Sequence, residues 1–133
     1  MSGPAASVQL VEGNSLAVMA WVVGMDNMPI TQSSIPGTGG ITREILDMTN
    51  QTVIATNTLD VLDVIYNTPQ TGKGWPAIYT TGFNWRNVVS GSNWDGLTED
   101  IEVQIKYTFE DIDGNPIVWV SKPFQVNATI ATP

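Results

Sequence analysis

Asp100-Ile-Glu-Val-Gln-Ile-Lys-Tyr-Thr-Phe-Glu110 is followed by Asp111-Ile-Asp-Gly-Asn-Pro116 and then by Ile117-Val-Trp-Val120. In the first segment Ile101, Val103, Ile105, Tyr107 and Phe109 alternate with Glu102, Gln104, Lys106, Thr108 and Glu110. Side chains of a strand point alternately to its two faces, so this is a strand with one buried and one wet face. The Asp113-Gly114 pair before the next apolar run marks a hairpin turn. Past Pro123, Phe124, Val126, Ala128 and Ile130 again fall on alternate positions. Proline has no N–H, so Pro123 signals an edge, a bulge or a change of sheet, and the second arm is expected to leave its partner there.

Outward from this hairpin the chain continues in the same style. Leu16-Ala-Val-Met-Ala-Trp-Val-Val23 reads as a buried strand, and Val8–Glu12 as a short one before a turn at Gly13-Asn14. Ile41–Asp47 and Thr52–Thr56 flank Met48-Thr-Asn-Gln51, a second hairpin whose left-handed turn position suits Asn50. Leu59–Tyr66 fits both a helical and a strand spacing, and its β-branched residues favour a strand. Asn84–Val89 reads as a strand, and Met25–Gly40 as a long loop.

Strands and turn signals at this spacing predict an all-β fold: an immunoglobulin-like β-sandwich of about 7–9 antiparallel strands, with a jelly roll as the alternative. At 133 residues one domain is expected. Its bounds are read as a flexible tail at 1–7, a single sandwich domain at 8–126 and a C-terminal extension at 127–133.

Composition narrows the function. With 13 acidic and 5 basic residues the formal net charge is −8, and Arg43, Lys73, Arg86, Lys106 and Lys122 are scattered. Phosphate-backbone binding relies on clustered Lys and Arg, so nucleic acid and anionic membranes are excluded as expected partners. The sequence has no histidine and no cysteine, which removes the usual general base, the commonest transition-metal ligand and any disulfide framework. Residues 1–7 lack the basic and apolar regions of a signal peptide. The longest apolar run, Leu16–Val23, is far short of a membrane-spanning helix.

Candidate chemistry is sparse. Asp111-Ile-Asp-Gly-Asn115 looks like the start of a calcium loop, but Pro116 and a strand follow where further ligands belong, so it is read as a turn. Asp60, Asp63, Glu99, Asp100 and Glu102 offer carboxylates for glycoside hydrolysis, yet nothing shows a cleft or a buried acid. The chain is therefore read as non-enzymatic, with no metal and no cofactor. Trp75, Tyr79, Trp85 and Trp94, among Thr, Asn, Gly and Ser, have two readings: exposed rings that stack on sugars or anchor partners, or core residues capping the sandwich. Asn127-Ala-Thr-Ile130 is a candidate assembly tail, suited to lie along a neighbour as an added strand.

Val64-Ile-Tyr-Asn-Thr-Pro-Gln-Thr71, then Trp75, then Thr81-Gly-Phe-Asn-Trp-Arg86, followed by the Ile101–Phe109 strand and the strand through Phe124 and Val126, resembles small immunoglobulin-like all-β structural proteins of tailed phages and prophage-like regions. The resemblance covers about half of the chain; the first 40 residues and the Ser90–Leu97 loop depart from it. It implies a virion component, such as a capsid decoration or head–tail protein, made in the host cytoplasm and self-associating or binding capsid protein. A carbohydrate-binding module that uses the loop aromatics is the alternative.

Overall fold

The computed structural model describes residues 9–11, 13–24, 27–35, 40–73, 75 and 80–128. Among the described residues there are nine strands: β1 (Gln9–Val11), β2 (Leu16–Ala20), β3 (Ile41–Asp47), β4 (Thr52–Leu59), β5 (Ile65–Gln70), β6 (Phe83–Val89), β7 (Ile101–Glu110), β8 (Pro116–Val120) and β9 (Phe124–Asn127). One sheet runs β1-β9-β7-β3-β4, with β8 also paired to β7; the other runs β2-β6-β5. This is an all-β sandwich of two sheets. The connections place β7, β3 and β4 side by side in one layer and β2, β6 and β5 in the other, the strand neighbours of the expected immunoglobulin-like arrangement. Pairing is antiparallel except between β1 and β9, which run parallel.

The alternation that identifies β7 reads out directly in its burial. Ile101 and Phe109 are 3% exposed, and Val103, Ile105 and Tyr107 are wholly covered. Opposite them, β6 sends Trp85 into the middle of the core. Its ring centroid lies 4.8 Å from Tyr107, 5.8 Å from Phe109 and 5.3 Å from Trp119. Aromatic pairs at these separations add to plain area burial, so these rings knit the two layers together. On the wet face, Lys106 and Glu44 are cross-strand neighbours with N–O 3.9 Å, an exposed pair of little energetic weight.

Four local expectations are corrected. Leu59–Tyr66 is not one strand. β4 ends at Leu59, a single helical turn α1 (Val61–Val64) follows, and β5 begins at Ile65. Asp60 explains the break, since its carboxylate accepts from the Leu62 N–H at 2.9 Å and caps the turn. In the β3–β4 turn the left-handed residue is Gln51 (φ 56°), not Asn50. Asn50 instead donates its backbone N–H and its side-chain amide to the two oxygens of Asp47, each at 2.9 Å.

The third correction concerns Pro123. The second arm does not leave β7. β8 pairs Lys106 with Val120, and β9 resumes with Val103 opposite Phe124. Two β7 residues therefore face three residues of the second arm, which defines a β-bulge at Ser121–Pro123. Ser121 fills the gap. Its N–H donates to the Ile105 carbonyl at 2.8 Å, and its hydroxyl accepts the Ile105 N–H at 3.0 Å in place of its own carbonyl. The extra residue switches the inward set from Ile117 and Trp119 to Phe124 and Val126, which is what keeps both arms packed on one core.

Last, the domain boundary drawn after Val126 falls inside β9. Asn127 is in register with Val11, and the Ala128 N–H donates to Asp100 at 2.9 Å.

Candidate functional site

Of the four ring candidates, the structure places Trp85 and Trp94 in the core. Trp85 is wholly buried and Trp94 is 1% exposed. For Trp85 the cause is parity: it occupies an inward position of β6, with Phe83, Asn87 and Val89. Trp94 is buried because the chain docks around it. Ser90 caps a short 3-10 turn over Gly91–Trp94, Gly91 donates to Ser15 at 3.1 Å, and the Trp94 indole donates to the Asn14 carbonyl at 2.7 Å. A side chain on Gly91 would overlap the Gly13 carbonyl, so only glycine permits this approach. Trp94 then meets Phe124 edge-on at 5.8 Å. Trp75 is half-buried, its ring 5.6 Å from Phe83. Tyr79 lies outside the described residues.

The assembly-tail candidates divide similarly. Asn127 and Ala128 are held by the domain itself, Asn127 through β1 and Ala128 through Asp100, so they are not free to pair with a neighbour. Thr129 and Ile130 lie outside the described residues.

The carboxylates considered for hydrolysis are exposed, and three of them hold neighbouring groups. Asp60 caps α1, Asp100 holds Ala128, and Glu99 accepts from the Asn50 amide at 3.2 Å. The Asp111 turn is equally committed. One Asp111 oxygen accepts from the Asp113 and Asn115 N–H groups at 2.9 and 2.8 Å; the other accepts from the Asn115 amide at 3.2 Å. Those donors, the Asn115 N–H foremost, hold the Asp111 carboxyl below its ordinary pKa. Among the described residues no group of three acidic side chains is placed to hold a metal ion.

A polar cluster around Arg43 inside the sandwich went unrecognised in the sequence. Arg43 alternates inward with Ile41 and Ile45, and it is 8% exposed. Its guanidinium donates to Asn87 at 3.0 Å and to Asn57 at 2.9 Å, while Tyr107 also donates to Asn87 at 2.9 Å. Burial lowers the Arg43 pKa and raises that of Tyr107, in each case as the largest effect. Among the described residues no carboxylate pairs with Arg43. The only available signal was a charged residue between Ile41 and Ile45 on the inward positions of β3.

Exposed apolar side chains are spread over the described surface, Leu62, Val53, Val88 and Met48 among them, and in two places they come in pairs. At one end of the sandwich, Met28 (60% exposed) and Ile112 (68%) flank a cleft of about 210 Å³ between the loop after β2 and the Asp111–Asn115 turn. The Ile112 N–H donates to the Ser34 carbonyl at 2.8 Å, fixing turn to loop. The other place is β8, where Val118 and Val120 point outward at 53% and 48% exposure. Among the described residues no strand pairs with the outer edge of β8.

Comparison with known protein families, with curated proteins and with solved structures finds no match to this chain.

Proposed function

We propose that this chain is a non-enzymatic virion structural protein of the tailed-phage type, a capsid decoration or head–tail component that acts through contacts with its own copies and with capsid protein. The observation that carries the reading is where its free apolar surface lies. The aromatic rings that a sugar-binding module would display are spent in the core at Trp85 and Trp94. Among the uncovered apolar groups, Val118 and Val120 lie on an uncharged strand whose outer edge has no partner among the described residues. Edges of that kind pair with other chains unless they are blocked. Weak contacts of this type become firm attachment when repeated on a lattice.

The coding neighbourhood tests the virion assignment. Terminase, portal and major capsid genes are expected beside this one, and the purified chain is expected to bind capsid shells that lack it. Retention on polysaccharide columns without any binding to shells would overturn the assignment in favour of carbohydrate recognition.

A further inference from the structure

Among the described residues β8 pairs with β7 alone and has no strand on its outer edge. The direction of its backbone groups follows from Ser121, whose N–H donates to the Ile105 carbonyl at 2.8 Å in the register that β8 shares with β7. Hydrogen-bonded and non-bonded positions alternate along an antiparallel pair. Trp119 and Ile117 therefore turn their N–H and C=O toward β7, whereas Pro116, Val118 and Val120 turn theirs away from it. Pro116, which has no N–H to give, sits where none is needed for the native ladder.

We infer that a second copy of this chain adds to this edge, β8 against β8, antiparallel about a twofold axis through Val118. In that register the Val118 N–H of each copy donates to the Val118 carbonyl of the other, and each Val120 N–H donates to the opposite Pro116 carbonyl. Every outward donor of the strand is then used, and the missing proline N–H falls at the ends of the ladder. The same register sets Val118 against Val118 and Val120 against Pro116 on the outer face. Beneath them it closes half-buried Ile117 and Trp119 over the core margin. A one-residue slip would instead face outward-turned groups with inward-turned ones and lose the bonds.

Charge and edge protection choose this strand and this occupant. Pro116–Val120 carries no charged residue in a chain of net charge −8, so two copies meet there without opposing like charges. The neighbouring part of the edge is already covered, because β1 pairs with β9. The opposite edge, β4, is uncharged too, but Ile45 faces Ala55 while Leu46 faces Val53, so Ile54 bulges out of the ladder. Bulges are a standard protection of edges, and β4 also shows solvent Thr52, Thr56 and Thr58. A five-residue edge buries less than the roughly 1,200 Å² of a stable dimer, so the pair is weak alone and gains from repetition. This pairing rests on the assembly reading above.

Light scattering and sedimentation of the full chain over rising concentration are expected to show a reversible dimer that tightens with salt, as the net charges are screened. Val118→Lys, at an exposed position, is expected to leave the unfolding curve unchanged and raise the dimer dissociation constant about tenfold or more, since two lysines would meet on the axis. Val118→Cys is expected to oxidise to a covalent dimer. The axis brings the two α-carbons to about 5.5 Å, within disulfide reach, and the native chain has no cysteine to interfere. Val53→Cys, equally exposed at 53% on β4, should not cross-link. A chain that stays monomeric at every concentration overturns the twofold, while the gene neighbourhood and shell binding still judge the virion reading separately. An oligomer unchanged by Val118→Lys overturns the β8 contact and leaves assembly standing. A dimer gained or lost on removing residues 1–7 assigns the edge to that segment and overturns pairing with β8 of a second copy.

Discussion

Replacing Asn84 by aspartate should damage this fold more than almost any other change of so few atoms, and should do so in a pH-dependent way. Where β2 leaves β6 after Ala20, the Asn84 side chain takes hold of the departing backbone as a peptide group would. Its oxygen accepts the Val22 N–H at 2.8 Å, and its nitrogen donates to the carbonyls of Val22 at 2.9 Å and Ile30 at 3.2 Å. The residue is 2% exposed. Aspartate keeps the size and the acceptor but turns a second oxygen toward the two carbonyls. Losing two donated bonds costs about 2 kcal/mol, at about 1 kcal/mol each. The charge adds a further term that has a ceiling, because the folded protein can protonate the group instead. For a carboxyl with an unfolded pKa near 3.9, holding the proton at pH 7 costs about 4 kcal/mol. The total at pH 7 is therefore about 4–6 kcal/mol, a large share of the roughly 5–15 kcal/mol of a typical domain.

The sign distinguishes this mechanism from simple loss of packing. Burial against carbonyls raises the folded pKa of the introduced acid, so the folded variant binds more protons than the unfolded chain above about pH 4. Its stability is then highest in acid and falls as pH rises from the unfolded pKa toward the folded one. Urea unfolding followed by tryptophan fluorescence, at about pH 4 and pH 7, should show the Asn84→Asp penalty shrinking to about 2 kcal/mol at the lower pH. Asn84→Ala supplies the reference, with a penalty that does not change with pH. A penalty under about 1 kcal/mol at pH 7, or one that stays flat with pH, would refute the reasoning.

Gly91→Ala should cost several kcal/mol, on the order of 3, because its methyl group would overlap the Gly13 carbonyl and push the Trp94 turn off β2; near-ultraviolet dichroism should lose part of its tryptophan signal. Arg43→Met should change stability by no more than about 1 kcal/mol in urea unfolding, since the buried cation has no carboxylate partner among the described residues and methionine fills similar space. Tyr107→Phe should cost about 1 kcal/mol, for the lost bond to Asn87, by the same assay. Asp111→Asn should remove part of the acid sensitivity. The Asp111 pKa is lowered in the fold, so its contribution is present above the ordinary carboxylate range and disappears as pH falls through the lowered value. Urea midpoints of the two proteins should therefore converge in strong acid.

Strand identity was legible wherever one face is wet. In β7 every odd residue is apolar and every even one polar, and burial follows that parity residue by residue. The signal failed where the buried face comes from neighbours rather than from the strand itself. Leu59–Tyr66 has strand-like residues, but Asp60 offers a local hydrogen bond that outweighs their propensity and starts a helical turn. Trp94 sits among glycine and serine, a setting that reads as exposed loop. Its burial depends on Asn14 and Ser15, some 80 positions earlier in the chain for the indole bond, and no local pattern carries that contact. Asn84 and Arg43 were hidden for a related reason. Each satisfies backbone or side-chain groups brought close only by the fold.

The Ser121–Pro123 bulge connects these features to what the protein presents outside. Without the extra residue, the second arm would keep its odd positions inward past Val120, placing Pro123 and Gln125 in the core and Phe124 and Val126 in water. With it, Phe124 and Val126 are 5% and 0% exposed, and β9 offers a regular edge that β1 occupies in parallel. The same bulge ends β8 and separates its ladder on β7 from that of β9. One inserted residue thus completes the core on the β9 side and leaves the β8 side with Val118 and Val120 uncovered. Because the bulge geometry depends on the Ser121 hydroxyl accepting the Ile105 N–H, Ser121→Ala should weaken both functions together. The fold would lose about 1 kcal/mol for the missing bond, and pairing at β8 would fall in step with it. A variant that loses stability yet pairs as strongly as the native chain would show that the edge does not depend on the bulge for its alignment.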